Sequence, residues 1–388
     1  MRIIRRRIED MADSPIIDVW RMGFTVPDVI ALWAGEPDLP TPEFICKAAS
    51  DALFAGRTFY THNRGIPELR GALARYLYTL YGVDIEDERL AVTSSGMNAV
   101  NLVAQAVIDP GDRAIVVTPA WPNVDRALMV AGAEVTQVPL RREASGWKLD
   151  RQDLFDACAD DTKLVYLASP ANPTGWMLES EEAEALLEFA RAKGIVLLVD
   201  EVYHRLVYDR PVAPSLLQVA RPDDPVFIVN SFSKAWAMTG WRMGWLVAPA
   251  GCLEALEKLI QFNTSGGQAF LQYGAIAALD QGEDFVRHFV ERCAKGRDVV
   301  VGRLDAMARV RRVPNEASFY TMFEVEGVSD TVLFCKRAVS EARIGMAPGL
   351  AFGKGAETLI RLCHAKSPPL LDEAMDRLER FVSGYCQE

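Results

Sequence analysis

Five short apolar runs recur through the middle of the chain: Ala114–Val117, Leu164–Leu167, Ile195–Val199, Val226–Val229 and Trp245–Val247. Each run is continuous rather than alternating, the pattern of strands covered on both faces. Amphipathic stretches separate them, such as Ser180–Lys193, which Gly194 closes as a helix stop. Strand–helix–strand alternation of this kind predicts an α/β fold with a mostly parallel sheet sandwiched by helices. From about residue 285 the pattern changes. A long helical stretch (Phe285–Met307) precedes two strand-like pieces, Ser318–Val325 and Leu359–Cys363, and a closing helix over Leu370–Val382. This reads as a smaller α+β unit. The expected division is a large domain over 41–284 and a small domain built from 285–388 together with the N-terminal arm, 1–40.

Bulk properties exclude several classes of function. The 388 residues are 50% hydrophobic and 24% charged, as expected of a soluble protein with a sizeable core. A formal net charge of -11 argues against a nucleic-acid partner. No apolar run approaches about 18 residues, so no membrane-spanning helix is expected. The basic start, Met1–Asp10, lacks an apolar core segment and runs into Glu9, Asp10 and Asp13, so it reads as a short surface helix. Seven scattered cysteines with no C-x-x-C pair suggest neither a disulfide framework nor a zinc site, and point to a reducing, cytoplasmic setting. The four histidines lack metal-ligand spacing and read as surface or packing residues; no metal is expected.

Polar and aromatic residues gather at the ends of the apolar runs. Trp121 follows the first, Asn172 the second, Asp200 ends the third, and Ser231-Phe232-Ser233-Lys234 follows the fourth. Ligands of open parallel sheets bind at the carboxyl ends of the strands, so these residues converge on one crevice. A lysine behind two hydroxyls, with Arg242 two helical turns on, suits pyridoxal phosphate (PLP). The amine forms an imine with the aldehyde and can then move a proton, while the hydroxyls and the arginine hold the phosphate. Asp200 would pair with a protonated pyridine nitrogen, or equally cap a following helix. Tyr203 and Asn172 would bind the ring oxygen, although Asn172-Pro173-Thr174-Gly175 is also a good plain turn. Ser95-Gly96-Met97 opens a helical pattern whose free N–H groups suit a phosphate, with an ordinary serine cap as the alternative. Trp121 could stack on the pyridine or pack in the core. Arg361, among apolar neighbours, matches a substrate carboxylate or an exposed edge strand. Two near-motifs fail. Gly349–Gly355 lacks P-loop spacing, and Ser231-x-x-Lys234 lacks the partner motifs of serine acylases.

Taken in order, the motifs resemble those of the class I/II aminotransferases, PLP enzymes of fold type I. They are Leu32-Trp33-Ala34-Gly35-Glu36-Pro37-Asp38, Tyr60, Ser95-Gly96-Met97, Asp109-Pro110-Gly111-Asp112, Pro119-Ala120-Trp121, Asn172-Pro173-Thr174-Gly175, Asp200-Glu201-Val202-Tyr203, Ser231-Phe232-Ser233-Lys234, Arg242-Met243-Gly244, Pro348-Gly349 and Arg361. The resemblance runs from about residue 14 to near the end. It implies that Lys234 is the Schiff-base lysine, with Asp200 and Tyr203 beside it in the catalytic set. Ser95, Gly96, Met97, Ser231, Ser233 and Arg242 would hold the phosphate, and Trp121 would stack on the ring. Arg361, Gly35 and Asn172 would contact substrate. Tyr60 would reach the cofactor phosphate of the neighbouring subunit, so a homodimer is implied.

Two departures concern the amino donor. Aspartate-specific relatives carry a second cation for the side-chain carboxylate, and the two positions where it would stand are Gln261 and Met97 here. A buried carboxylate without a partner is costly. The expected donor is therefore neutral or aromatic, with Met97, Trp33 and Phe24 as pocket lining. The expected reaction is transamination between an amino acid and a 2-oxo acid. A carbon–sulfur β-lyase on the same fold is the alternative, since fold does not fix reaction. A PLP-binding regulatory domain is disfavoured because no length or basic segment is left for a DNA-binding unit.

Overall fold

The computed structural model describes residues 3–386. Seven strands form the main sheet: β1 Leu90–Thr93, β2 Arg113–Thr118, β3 Glu134–Pro139, β4 Thr162–Ala168, β5 Val196–Asp200, β6 Val226–Ser231 and β7 Gly244–Val247. Their order is β1-β7-β6-β5-β4-β2-β3. Only β7 is antiparallel to its neighbours β1 and β6; the other pairs are parallel. All five apolar runs are strands of this sheet.

The continuous runs have a direct cause. Ile115 and Val117 face one apolar layer, whereas Ala114 and Val116 face another. Val165 and Leu167 divide from Leu164 and Tyr166 in the same way. Helix α1 (Gly96–Val107) covers one face through Ala99, Val100 and Val103, and α2 (Ser180–Lys193) covers the other through Ala183, Leu186, Leu187 and Ala190. Strands β1 and β3, both at sheet edges, were not expected from the sequence. β1 is only four residues long, and β3 has one fully buried residue, Val138.

The chain leaves β2 toward β3 on one side, then builds β4, β5 and β6 on the other. The strand order therefore switches between β2 and β4, and the crevice above that point is where such sheets take ligands.

A second sheet, fully antiparallel, has the order β8-β9-β11-β10, from β8 Val310–Val313, β9 Tyr320–Val325, β10 Ala347–Pro348 and β11 Ile360–Cys363. Helices α3 (Glu283–Ala306) and α4 (Pro368–Gly384) match the helical patterns read at the end of the sequence. An apolar cluster joins this region to the start of the chain, with Val19, Leu32 and Trp33 packing among Phe334, Ile360 and Leu378. Ile30–Ala31 also pairs in parallel with Ile344–Gly345. A one-turn helix at Arg6–Glu9 has no buried residue, as expected of a surface segment. Among the described residues, no helix is long and apolar enough to cross a membrane.

Candidate active site

The carboxyl ends of β4, β5 and β6 open onto a cavity of about 300 Å³. Its lining includes Gly35, Gly96, Met97, Trp121, Asn172, Asp200, Tyr203, Ser231, Ser233, Lys234, Arg242 and Arg361. Of the residues expected to form the cofactor and catalytic site, Ser95 and Tyr60 lie outside the lining. Ser95 caps α1, its Oγ accepting the Asn98 N–H at 3.0 Å. Tyr60 is 94% exposed on the surface of this chain.

Lys234 sits on a single helical turn, Phe232–Ala235, that follows β6 directly. Its Nζ donates to the Gly35 carbonyl at 2.6 Å. Burial, assisted by the positive charges of Arg361 and Arg242, pushes the amine down to about 8. A substantial neutral fraction near physiological pH makes it a usable nucleophile and base. Gly35 is constrained in turn. A Cβ there would lie 1.8 Å from the Tyr320 hydroxyl, so only glycine brings this backbone against the cavity.

Asp200 ends β5, and the residues after it form turns rather than a helix, so the helix-cap alternative does not apply. Its Oδ2 accepts from the Tyr166 hydroxyl at 3.2 Å and its Oδ1 from the Val202 N–H at 3.1 Å. Burial raises the carboxyl to about 6 despite those donors and the Lys234 charge. A buried carboxylate held by neutral donors alone suits a cationic partner such as a protonated pyridine nitrogen.

The Tyr203 hydroxyl lies 2.6 Å from that of Tyr320, and burial holds its phenol well above the ordinary range. Asn172 accepts from Arg361 Nη1 at 2.9 Å through its side-chain oxygen. The Arg361 guanidinium also bonds the Trp33 carbonyl, while its Nε is buried without a partner. Arg361 is only 3% exposed, so the exposed-edge alternative is excluded.

Ser231, Ser233 and the start of α1 form a compact corner. Ser231 Oγ donates to Ser233 Oγ at 2.9 Å and accepts the Ser233 N–H at 3.1 Å. Gly244 allows β7 to pass beneath them, since a Cβ there would stand 2.7 Å from the Gly96 nitrogen. The opening turn of α1 presents backbone N–H groups of the kind that bind anions. Arg242 donates to the Thr239 carbonyl at 2.7 Å and also faces the cavity. The Asp200 acid, the depressed Lys234 amine, the Arg242 and Arg361 guanidiniums, the Ser231 and Ser233 hydroxyls and the half-buried Trp121 indole thus share one space. That donor set fits PLP.

Some expectations are corrected. Trp33 and Met97 line the cavity, but Phe24 does not. It is 71% exposed and packs edge-on against Trp20, with ring centroids 4.6 Å apart. Gln261 is exposed and outside this chain's cavity lining. Tyr166, Tyr320 and Ile16, which carry no site signal in the sequence, also line the cavity. Tyr166 was hidden inside an apolar run, and Tyr320 arrives from the smaller sheet.

The family model for aminotransferase class I and II matches residues 27–378. An aspartate aminotransferase of Pyrococcus horikoshii is 32% identical over 384 residues, covering 98% of this chain and 97% of that protein. A solved aspartate aminotransferase from Thermotoga maritima superposes with a TM-score of 0.91 at 33% identity, covering 98% of this chain and 100% of that one. A solved aromatic aminotransferase from Pyrococcus horikoshii has a TM-score of 0.86 at 31% identity, covering 95% and 98%.

Proposed function

The chain belongs to the class I and II aminotransferases, and on that basis we propose that it moves an α-amino group from a neutral or aromatic amino acid to a 2-oxo acid through Lys234. Enzymes of this family depend on PLP, which when bound supplies the carbonyl that takes the amino group and a ring that accepts electrons from the substrate α-carbon. The observation that carries the proposal is Lys234: a depressed amine in one cavity with the Asp200 carboxylate and the Arg361 fork.

In this reading Lys234 holds the cofactor covalently and then shuttles the α-proton. Asp200 pairs with the ring nitrogen, and Asn172 and Tyr203 face the ring oxygen. The α1 start at Ser95, Gly96 and Met97 holds the phosphate with Ser231, Ser233 and Arg242. Trp121 covers the ring face. Arg361 grips the substrate α-carboxylate, with the Gly35 backbone and Asn172 beside it. Tyr60 of the partner subunit completes the phosphate site, which makes the enzyme a homodimer with shared sites. The working unit is cytoplasmic, with a large domain over 41–284 and a small one from 1–40 and 285–388.

The donor assignment rests on the lining. Ile16, Trp33, Ala34 and Met97 are apolar, and the cations among the described lining residues are Lys234, Arg242 and Arg361. Each already has a task, so this chain's own lining offers no further cation to a side-chain carboxylate, which is costly to bury unpaired. The test is a donor panel on the cofactor-loaded enzyme, reading kcat/KM with a fixed 2-oxo acid. Phenylalanine, leucine or methionine is expected to exceed aspartate by at least about tenfold, the scale of one lost charged contact. A preference for aspartate would overturn the donor assignment. Ammonia and pyruvate released from a sulfur amino acid, with no need for a 2-oxo acid, would instead identify a β-lyase.

A further inference from the structure

Tyr166 lies on β4 two residues before Ala168, the residue opposite Asp200 on β5. Residues two apart on a strand share a face, so Tyr166 points the same way as Ala168. Its side chain is fully buried and lines the cavity. The hydroxyl donates to Asp200 Oδ2 at 3.2 Å, while Oδ1 has only the Val202 N–H at 3.1 Å. Burial, together with the negative charges of Asp200 and Asp125, holds the phenol well above its ordinary value. It therefore stays a donor and cannot serve as a base.

We propose that Tyr166 is a positioning residue that keeps the Asp200 carboxylate charged and turned toward the ring nitrogen of the cofactor. The inference rests on the pairing of Asp200 with that nitrogen proposed above. With one backbone donor, a buried carboxyl is free to turn about its last torsion and to stay protonated. A second neutral donor fixes the plane of the group and favours its charged form. In an otherwise apolar run, a phenylalanine would fill the same volume; the hydroxyl's partner is the site carboxylate.

The test compares cofactor affinity in wild type, Tyr166→Phe and Asp200→Asn. Each cofactor-free protein is titrated with PLP and, separately, with an analogue carrying C–H in place of the ring nitrogen. Tyr166→Phe is expected to weaken PLP binding on the order of tenfold, the scale of a hydrogen bond to a charged group, and the analogue less than about twofold. A general packing defect would weaken both equally, and that result, or an unchanged PLP affinity, overturns the proposal. Tyr166→His, which keeps an N–H donor, is expected to recover part of the preference for PLP; failure to recover any counts against it. Asp200→Asn separates the two levels. If it abolishes the preference while Tyr166→Phe does not, the tyrosine's role falls alone. If Asp200→Asn keeps the preference, the pairing with the ring nitrogen falls too.

Discussion

Arg361 donates from Nη1 to the side-chain oxygen of Asn172 at 2.9 Å, across 189 positions of sequence. The bond ties β11 of the smaller sheet to the turn that follows β4 of the large one. The guanidinium lies 4.3 Å from the Tyr320 ring centroid and 4.8 Å from that of Phe352. Rings and partners together hold the fork in one plane, with Nε still unpartnered.

Arg361→Lys keeps the charge but loses the planar fork and its link to Asn172. The expected result is a kcat/KM lower by about tenfold to a hundredfold for every amino donor, with KM carrying most of it, as for a charged hydrogen bond removed. Steady-state kinetics over several donors checks this. An unchanged KM would mean that the α-carboxylate binds elsewhere.

Lys234 sets a pH dependence. Its amine, pushed down to about 8, is mostly protonated below that pH and mostly neutral above it. The rate at which PLP attaches to cofactor-free protein should rise about tenfold per unit below pH 8 and level off above it. Between about pH 8 and the ordinary lysine value, the unfolded chain binds a proton that the folded one does not. Stability of the cofactor-free protein therefore gains with pH across that window, and Lys234→Met should lose this gain. Stopped-flow absorbance and melting curves measure the two effects. A rate still climbing steeply past pH 10 would contradict the depressed amine.

Gly244→Ala places a methyl 2.7 Å from both the Gly96 nitrogen and the Asn230 carbonyl oxygen. Overpacking of this kind costs about 1–3 kcal/mol, and it falls on the corner proposed to hold the phosphate. The variant should melt lower and retain PLP at least about tenfold more weakly, at about 1.4 kcal/mol per tenfold. Gly240→Ala, where a Cβ meets nothing within 4 Å, should do neither. Equal behaviour of the two variants would remove Gly244 from the account.

Much of this is legible in the sequence, for a physical reason. Strands buried on both faces leave continuous apolar runs, and the sheet topology turns run ends into site positions. Asn172, Asp200 and Lys234 were therefore visible as a set. Edge strands carry a weaker signal, so β1 and β3 were missed. Tyr166 was missed because a strand tyrosine reads as apolar filling until its hydroxyl partner is known. Tyr320, on β9 of the smaller sheet, meets the Gly35 loop only through tertiary packing, which no local pattern encodes. Phe24 lies outside the lining because the facing of a loop residue is set by tertiary packing, which its local sequence does not carry.

Met97 offers a way to redirect the donor. It lines the cavity just inside the start of α1. Met97→Lys would add a cation for a substrate side-chain carboxylate. The ratio of kcat/KM for aspartate to that for phenylalanine should rise by at least about tenfold, one close charge pair's worth. A fall in both rates without a change of ratio would show that Met97 does not face the donor side chain.

The central claim is that Lys234 performs the amino transfer. The most direct measurement is a single turnover: cofactor-loaded protein mixed with one amino acid, without any 2-oxo acid, and the products counted per site. The expected result is one equivalent of 2-oxo acid, no free ammonia, the amino group retained on the cofactor, and no conversion in Lys234→Ala. Conversion at the wild-type rate in Lys234→Ala, or ammonia released in step with the 2-oxo acid, would contradict it.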